Sequence, residues 1–117
     1  MWTNMHELSV CFEVVRTLDK FVTENELTEV QKVTLEIGEL SSMIPKYMQE
    51  CFPAAVDGTM FEHTKLEIEV IPGLGRCYSC SHMYQLLPVN GVCPQCGKKD
   101  FELISGKEFN IKEIVAC

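Results

Sequence analysis

Four cysteines in two pairs constrain the fold of this chain more than any other feature of its sequence. Cys77 and Cys80 form one Cys-x-x-Cys pair, Cys93 and Cys96 form the second, and twelve residues separate the pairs. Each pair puts two sulfur atoms on one tight turn, so folding the pairs together brings four thiolates to one point. That arrangement suits the tetrahedral coordination of Zn²⁺. The spacing therefore predicts a structural zinc site at these four cysteines.

Two other interpretations of the four sulfurs stay open. A zinc ribbon can serve as a docking module for proteins or nucleic acid, and a rubredoxin-like electron carrier holds iron in four thiolates. Nucleic acid is disfavoured because 17 acidic residues oppose 10 basic ones, a net charge of −7 that does not attract phosphate. Iron is disfavoured because Gly97 follows the second pair, whereas Ser81 takes the matching position after the first.

The composition bounds the size and the compartment of the protein. With 117 residues, 46% of them hydrophobic, the chain can form one modest core and a small appended module. The chain has seven cysteines, and four of them have the spacing of a metal site. Because the number is odd and the spacing is that of a metal site, the cysteines fit a reducing compartment better than a disulfide scaffold. No apolar run is long enough for a membrane span, and no secretory signal precedes the first helix. We therefore expect a cytoplasmic protein.

Hydrophobic periodicity predicts two helices and a three-stranded sheet. The apolar face predicted for the first helix consists of Leu8, Cys11, Phe12, Val15, Leu18 and Val22. Cys11 and Cys51 lie on apolar helix faces, and we expect them to be small buried hydrophobic residues. In chain order, the predicted elements are a helix at 4–23, a strand at 33–37, a helix at 45–56, a strand at 66–70, strand-like arms at 83–87 and 101–104, and a last strand at 109–115. The fold class is thus α+β, with two helices packed on a small three-stranded sheet and a four-cysteine zinc ribbon inserted before the final strand. The strand–helix–strand connection favours parallel first and second strands.

The first helix opens with Met5, His6 and Glu7. Taken alone, this tripeptide favours plain roles. His6 can be a solvated surface residue, and Glu7 can cap its own helix together with Asn4 or interact with the helix dipole. A metal role needs support from other parts of the sequence.

Three pieces of the sequence together resemble the HypA/HybF family of nickel metallochaperones for nickel-iron hydrogenase maturation. They are the Met-His-Glu start at 5–7, the Ile-Gly-Glu strand end at 37–39, and the two cysteine pairs in the last third. The resemblance runs from Met5 to the last strand. It implies zinc in the four cysteines and nickel captured at His6, with the backbone or amine of Met5 and with Glu7 as an additional or supporting group. Glu39 is a further candidate for a carboxylate near nickel.

The resemblance also implies what the protein does. A member of this family is a carrier and not an enzyme, and the sequence offers no nucleophile–base pair or phosphate loop. The implied partners are a nickel-handling maturation GTPase and the hydrogenase large-subunit precursor, with urease maturation in some organisms. A homodimer stays open. The implied domains are a nickel-binding α+β domain at 1–72 plus 106–117 and a zinc-ribbon domain at 73–105.

Two positions leave alternatives. Four residues precede Met5, and they would hold the amine of Met1 away from His6, so we expect Met5 to be the start or the extension to weaken nickel binding. Neutral imidazole, a terminal amine and a backbone amide together make a strong donor set for Ni²⁺.

His82 follows Cys80 by two positions. Its simpler interpretation is a surface residue of the ribbon, and the alternative is a substitute zinc ligand.

Overall fold

The computed structural model describes residues 6–117 and the backbone of Met5. The predicted Asn4 cap therefore lies outside the described residues. Helix α1 spans Met5–Glu24, one residue later than predicted at each end. Its buried stripe recurs at helical spacing and consists of Glu7, Cys11, Val14, Leu18 and Val22. The predicted face was wrong at Phe12, which is 45% exposed, because the stripe passes through Val14 instead.

Helix α2 spans Pro45–Val56, as predicted. Pro45 occupies its first turn, where a missing N–H has no cost, and the helix continues past Pro53 for one more turn. Helices α1 and α2 pack against each other. Over the part of the chain that the structure describes, neither helix combines the length and the apolar character that crossing a bilayer requires.

Within residues 5–117, six strands form two three-stranded sheets. In chain order, they are β1 (Val30–Gly38), β2 (Lys65–Ile71), β3 (Leu74–Cys77), β4 (Met83–Gln85), β5 (Phe101–Ser105) and β6 (Phe109–Ala116), with a short 3-10 turn at Leu87–Val89. The strand orders are β2-β1-β6 and β4-β3-β5. The α+β class is confirmed. Strand β3 was not predicted, because four residues that include a glycine carry no periodic signal.

The first sheet is mixed. At its start, the Thr64 hydroxyl donates to Val30 O just before β2, and at its end Glu39 N donates to Ile71 O, so β1 and β2 run in the same direction as predicted. Strand β6 runs the opposite way, since Cys117 exchanges backbone hydrogen bonds with Glu29 just before β1. The central strand β1 supplies three side chains with no exposed surface, Val33, Leu35 and Ile37.

The chain packs into two compact units. The first comprises the chain up to Leu35, Ser42–Glu69 and Asn110–Cys117, and contains both helices. The second comprises Glu36–Ser41 and Val70–Phe109, and contains all four paired cysteines. The assignment of nickel to 1–72 plus 106–117 and of zinc to 73–105 concerns function, and it stays a prediction.

Candidate metal centres

The four paired cysteines converge in the second unit. Sγ of Cys77 lies 3.4 Å from Sγ of Cys96, and Sγ of Cys80 lies 3.6 Å from Sγ of Cys93. All four sulfur atoms lie within 4.8 Å of one another. A zinc ion with bonds of about 2.3 Å to four sulfurs needs sulfur–sulfur separations of about 3.8 Å, which falls inside this range. The donor set and its spacing therefore fit a tetrahedral metal ion.

Both pairs adopt the same hydrogen-bonded turn. Ser81 N donates to Cys77 O at 2.9 Å, and Gly97 N donates to Cys93 O at 2.8 Å. Ser81 and Gly97 both take left-handed backbone conformations, with φ of 63° and 78°. The missing glycine at position 81 therefore does not change the turn. It leaves a serine in a conformation that glycine adopts more readily, and it no longer distinguishes a zinc from an iron centre.

Backbone amides help to prepare these sulfurs for a metal. The Cys80 amide hydrogen-bonds to the Cys77 sulfur, and this is the main reason why the pKa of Cys77 falls to about 7. At Cys80, the amide of His82 acts in the same direction, but burial and the thiols of Cys93 and Cys77 raise the pKa to about 12. At neutral pH, the metal-free cluster thus holds at least one proton, which a metal ion must displace.

A small apolar core supports the cluster. It consists of Cys77, Tyr84, Leu86 and Cys93, with Leu40, Cys80, Val89 and Phe101 packed around it. The buried Tyr84 hydroxyl donates to Gly91 O at 2.8 Å, and the Tyr84 ring meets Phe101 edge-on. Burial, together with the nearby thiols of the cluster, raises the pKa of Tyr84, which keeps its hydroxyl a donor. His82 stacks on Tyr84 with ring centroids 6.4 Å apart, and it does not belong to the group of four sulfurs.

His6 lies at the surface of the first unit. Its Nε2 atom is 3.4 Å from the Ser42 hydroxyl. Among the described residues, no second group of three or more His, Cys, Asp or Glu side chains converges as the four cysteines do. The start of α1 at Met5 places His6 in the first turn of the helix. Further nitrogen donors beside His6 would come from the backbone; the side chain of Met5 lies outside the described residues.

Glu7 is buried, with 5% of its surface exposed. Its Oε2 accepts a hydrogen bond from Ile44 N at 3.3 Å, immediately before α2. The carboxylate thus lies in the first turn of α1 and also beside the start of α2. The positive ends of two helices favour a negative charge there, each by about 0.3–1 kcal/mol and up to about 2 kcal/mol when partly buried.

Two thiols lie deeper in the same region. Cys11 and Cys51 have no exposed surface, as predicted for small buried hydrophobic residues. Burial raises the pKa of Cys11 to about 12, with further contributions from Cys51 and Glu7. The protonated Cys11 thiol donates to Met48 O at 3.6 Å. These thiols are therefore packing groups and not a second thiolate site.

Glu39, the other acidic candidate, has a structural contact. Its Oε1 accepts a hydrogen bond from Gly73 N at 2.8 Å, and its own N–H donates to Ile71 O. The residue thereby ties the end of β1 to the segment that follows β2. Glu36 is half-buried within β1. A nickel role for Glu39 stays a prediction.

The fold and the cluster define a small α+β protein with a four-cysteine metal centre. A family model described as "Hydrogenase/urease nickel incorporation, metallochaperone, hypA" matches residues 5–116. A hydrogenase maturation factor HypA from Nostoc punctiforme is 41% identical over 111 residues, covering 94% of each chain. Another from Trichodesmium erythraeum is 39% identical over 111 residues, again covering 94% of each chain. The chain belongs to the HypA family of nickel-incorporation metallochaperones.

Solved structures support the fold independently. The chain resembles a solution structure of a HypA protein with a TM-score of 0.70 and 23% identity, covering 97% of both chains. It also resembles the solution structure of the Ni metallochaperone HypA from Helicobacter pylori, with a TM-score of 0.65 and 21% identity, over 94% of this chain and 96% of that one. At these identities, the likeness concerns the fold alone.

Proposed function

We propose that this chain binds Ni²⁺ at the start of α1 and delivers it during the maturation of nickel-iron hydrogenase, with urease as a further recipient. The observation that carries the proposal is an exposed His6 in the first helical turn of a chain whose family serves nickel incorporation. Its imidazole is a good nickel ligand when neutral. The carrier performs no reaction on the metal; it binds, holds and releases it.

The donors at the helix start suit a cargo ion. His6 supplies imidazole, while Met5 supplies a backbone amide, or an amine where the chain begins at that residue. Glu7 adds negative charge close by, within the fold. Such a site lies at the surface, so the ligands of an acceptor protein can approach the metal and replace these donors one at a time.

The cysteine cluster has the opposite character. Three of its four residues, Cys77, Cys80 and Cys93, are buried or half-buried, and thiolates bind Zn²⁺ firmly. We assign to it a zinc ion that stabilises the ribbon and is not transferred. Lewis-acid chemistry needs an open coordination position, which four protein ligands do not leave.

The partners follow from this role. A nickel-handling GTPase and the hydrogenase large-subunit precursor are the proteins to which the carrier would bind, and a homodimer is one form in which it could act. The reduced thiols that the zinc site needs support a cytoplasmic location.

Nickel titration of single variants tests the proposal. The protein should bind one equivalent of nickel beside one zinc, and His6→Ala should weaken nickel binding by at least tenfold while retaining zinc. His63→Ala is the matched control, since His63 is also exposed but lies just before β2. If His6→Ala binds nickel as tightly as the wild type, the proposal is wrong. Equal affinities for chains that start at Met1 and at Met5 would remove the terminal amine from the donor set.

A further inference from the structure

Two contacts join the start of α1 to the segment 42–44 that leads into α2. Nε2 of His6 lies 3.4 Å from Oγ of Ser42, and Oε2 of Glu7 accepts from the Ile44 N–H at 3.3 Å. The partners are 36 and 37 residues apart in sequence. The proposed nickel ligand and its neighbour are therefore held by the same short segment of chain.

We propose that Glu7 and Ser42 are positioning residues for His6: Glu7 anchors the segment 42–44 to the helix start, and Ser42 orients the His6 ring by its contact with Nε2, which leaves the Nδ1 atom to bind nickel. The inference rests on the proposed function of His6. It gives Glu7 a role through Ile44 and not as a ligand of the metal.

The start of α2 explains why Glu7 stays where it is. Ile44 occupies the N-cap position without a side-chain hydrogen bond, and Pro45 has no N–H to offer. The carboxylate of Glu7 supplies the negative charge and the acceptor that the sequence of α2 itself lacks. Turning Glu7 outward to a metal would leave the Ile44 N–H without this acceptor and the helix end without its charge. The Glu7 carboxylate therefore stabilises the fold more by its contact with Ile44 than it would as a ligand that turns outward to the metal.

The Ser42 hydroxyl orients the ring through Nε2. A serine hydroxyl can accept from Nε2–H or donate to an unprotonated Nε2. Nickel at Nδ1 requires the proton to reside on Nε2, and the Ser42 oxygen can accept a hydrogen bond from that N–H. Nδ1 is the ring nitrogen closer to the backbone, so it can share a small chelate ring with the His6 amide nitrogen. Ser42 can therefore keep its contact with the ring while Nδ1 chelates nickel together with the backbone.

The first test concerns Ser42 and uses the full chain at about pH 8. Nitrogen-15 NMR of the nickel-free protein reports the environment of His6 Nε2, and competition titration reports nickel affinity. Ser42→Ala should shift the Nε2 signal and weaken nickel binding by about two- to tenfold, as expected for one hydrogen bond. Ser42→Thr, which keeps the hydroxyl, should restore both readouts, and Ser9→Ala, an exposed serine on α1, should change neither.

The second test concerns Glu7 and uses hydrogen exchange of the Ile44 amide. Glu7→Gln keeps an acceptor without the charge, and should leave Ile44 protected while weakening nickel binding a few-fold. Glu7→Ala should speed Ile44 exchange and weaken nickel binding further. Strong nickel loss in Glu7→Ala with unchanged Ile44 exchange would make Glu7 a direct ligand and overturn its positioning role.

The outcomes separate this inference from the proposed function. If Ser42→Ala changes neither the Nε2 signal nor the nickel affinity, the role of Ser42 is refuted, while His6→Ala still decides whether the helix start binds nickel at all. If His6→Ala retains nickel, the inference fails together with the proposed function.

Discussion

The two metal centres proposed for this protein differ in how they are built. The ribbon brings four side chains together in the second unit, with sulfur atoms within 4.8 Å of one another. The start of α1 offers one exposed imidazole, that of His6, and the backbone of the first helical turn. A closed set of thiolates suits an ion that stays, and an open, backbone-rich set suits an ion that leaves. The comparison supports the proposal that the more conspicuous site, the cysteine cluster, is not the one that holds the cargo.

Breaking the ribbon should have the largest effect. Zinc sites of this kind have apparent binding energies of about 10–16 kcal/mol, much of which appears as folding free energy. Cys93→Ser removes one buried thiolate from the cluster, so we expect the ribbon to lose most of this stabilisation. We expect NMR signals of the second unit to collapse while those of α1 and α2 persist. Cys117→Ser, at an exposed cysteine outside the pairs, is the control. Loss of helical signal in Cys93→Ser would show that the two units fold as one.

The second largest effect should be a pH dependence in the number of protons that the cysteine cluster releases when it binds zinc. Zinc binding needs deprotonated sulfurs, and the pKa of Cys77 lies near 7 whereas that of Cys80 lies near 12. Cys77 is therefore a thiolate above about pH 7 and takes up a proton as the pH falls through that value. Calorimetry in buffers of different ionisation enthalpy should show about one more proton released per zinc at pH 6 than at pH 8. A constant number of protons across this range would contradict the assigned pKa of Cys77.

Tyr84→Phe should produce a smaller effect on the ribbon. The change removes a buried hydroxyl that donates to Gly91 O at 2.8 Å, in the chain that leads to the second cysteine pair. Such a hydrogen bond contributes about 1 kcal/mol, so thermal unfolding of the zinc-loaded protein should shift down by a few degrees. Tyr78→Phe, at a ring that is 67% exposed, should have no effect. Equal shifts in the unfolding temperature of the two variants would show that the Tyr84 hydroxyl makes no specific contribution to stability.

Ser81→Gly should have the smallest effect and the opposite sign. Serine at φ 63° occupies the conformation that Gly97 adopts at φ 78° in the second turn. Glycine should relieve this strain, and we expect a net gain of about 0.5–1 kcal/mol, reduced by the greater freedom of glycine in the unfolded chain. Ser79→Gly, at a neighbouring position without positive φ, should destabilise. Denaturant unfolding of zinc-loaded proteins measures both, and destabilisation by Ser81→Gly would refute the argument from strain.

Local patterns in the sequence were sufficient to predict most of the fold. Alternation and helical spacing gave α2 at its observed bounds and α1 to within one residue, because each of these segments is long enough to show its period. The sulfur cluster could also be predicted, because each Cys-x-x-Cys pair is a pattern visible within four residues of the sequence. Strand β3 escaped prediction because it is only four residues long. Phe12 was misplaced because a helix rich in apolar residues permits more than one stripe.

The surroundings of His6 could not be predicted in this way. Glu7 has an ordinary explanation as a residue of a helical first turn, and nothing local indicates that its carboxylate meets Ile44, 37 residues away. The same holds for Ser42 and His6. One signal was present: α2 begins with Ile44 and Pro45, neither of which can cap a helix with its side chain. A helix start without its own cap indicates that another part of the chain supplies one.

X-ray absorption at the nickel edge of protein loaded with one zinc and one nickel tests the central claim most directly. Two metals in two separate sites predict nickel bound by nitrogen and oxygen atoms alone, with zinc retaining four sulfur neighbours in the same sample. The His6→Ala variant should lose the imidazole signature at nickel and leave the zinc spectrum unchanged. Sulfur in the first shell of nickel would contradict the account, because it would place the cargo in the cysteine cluster.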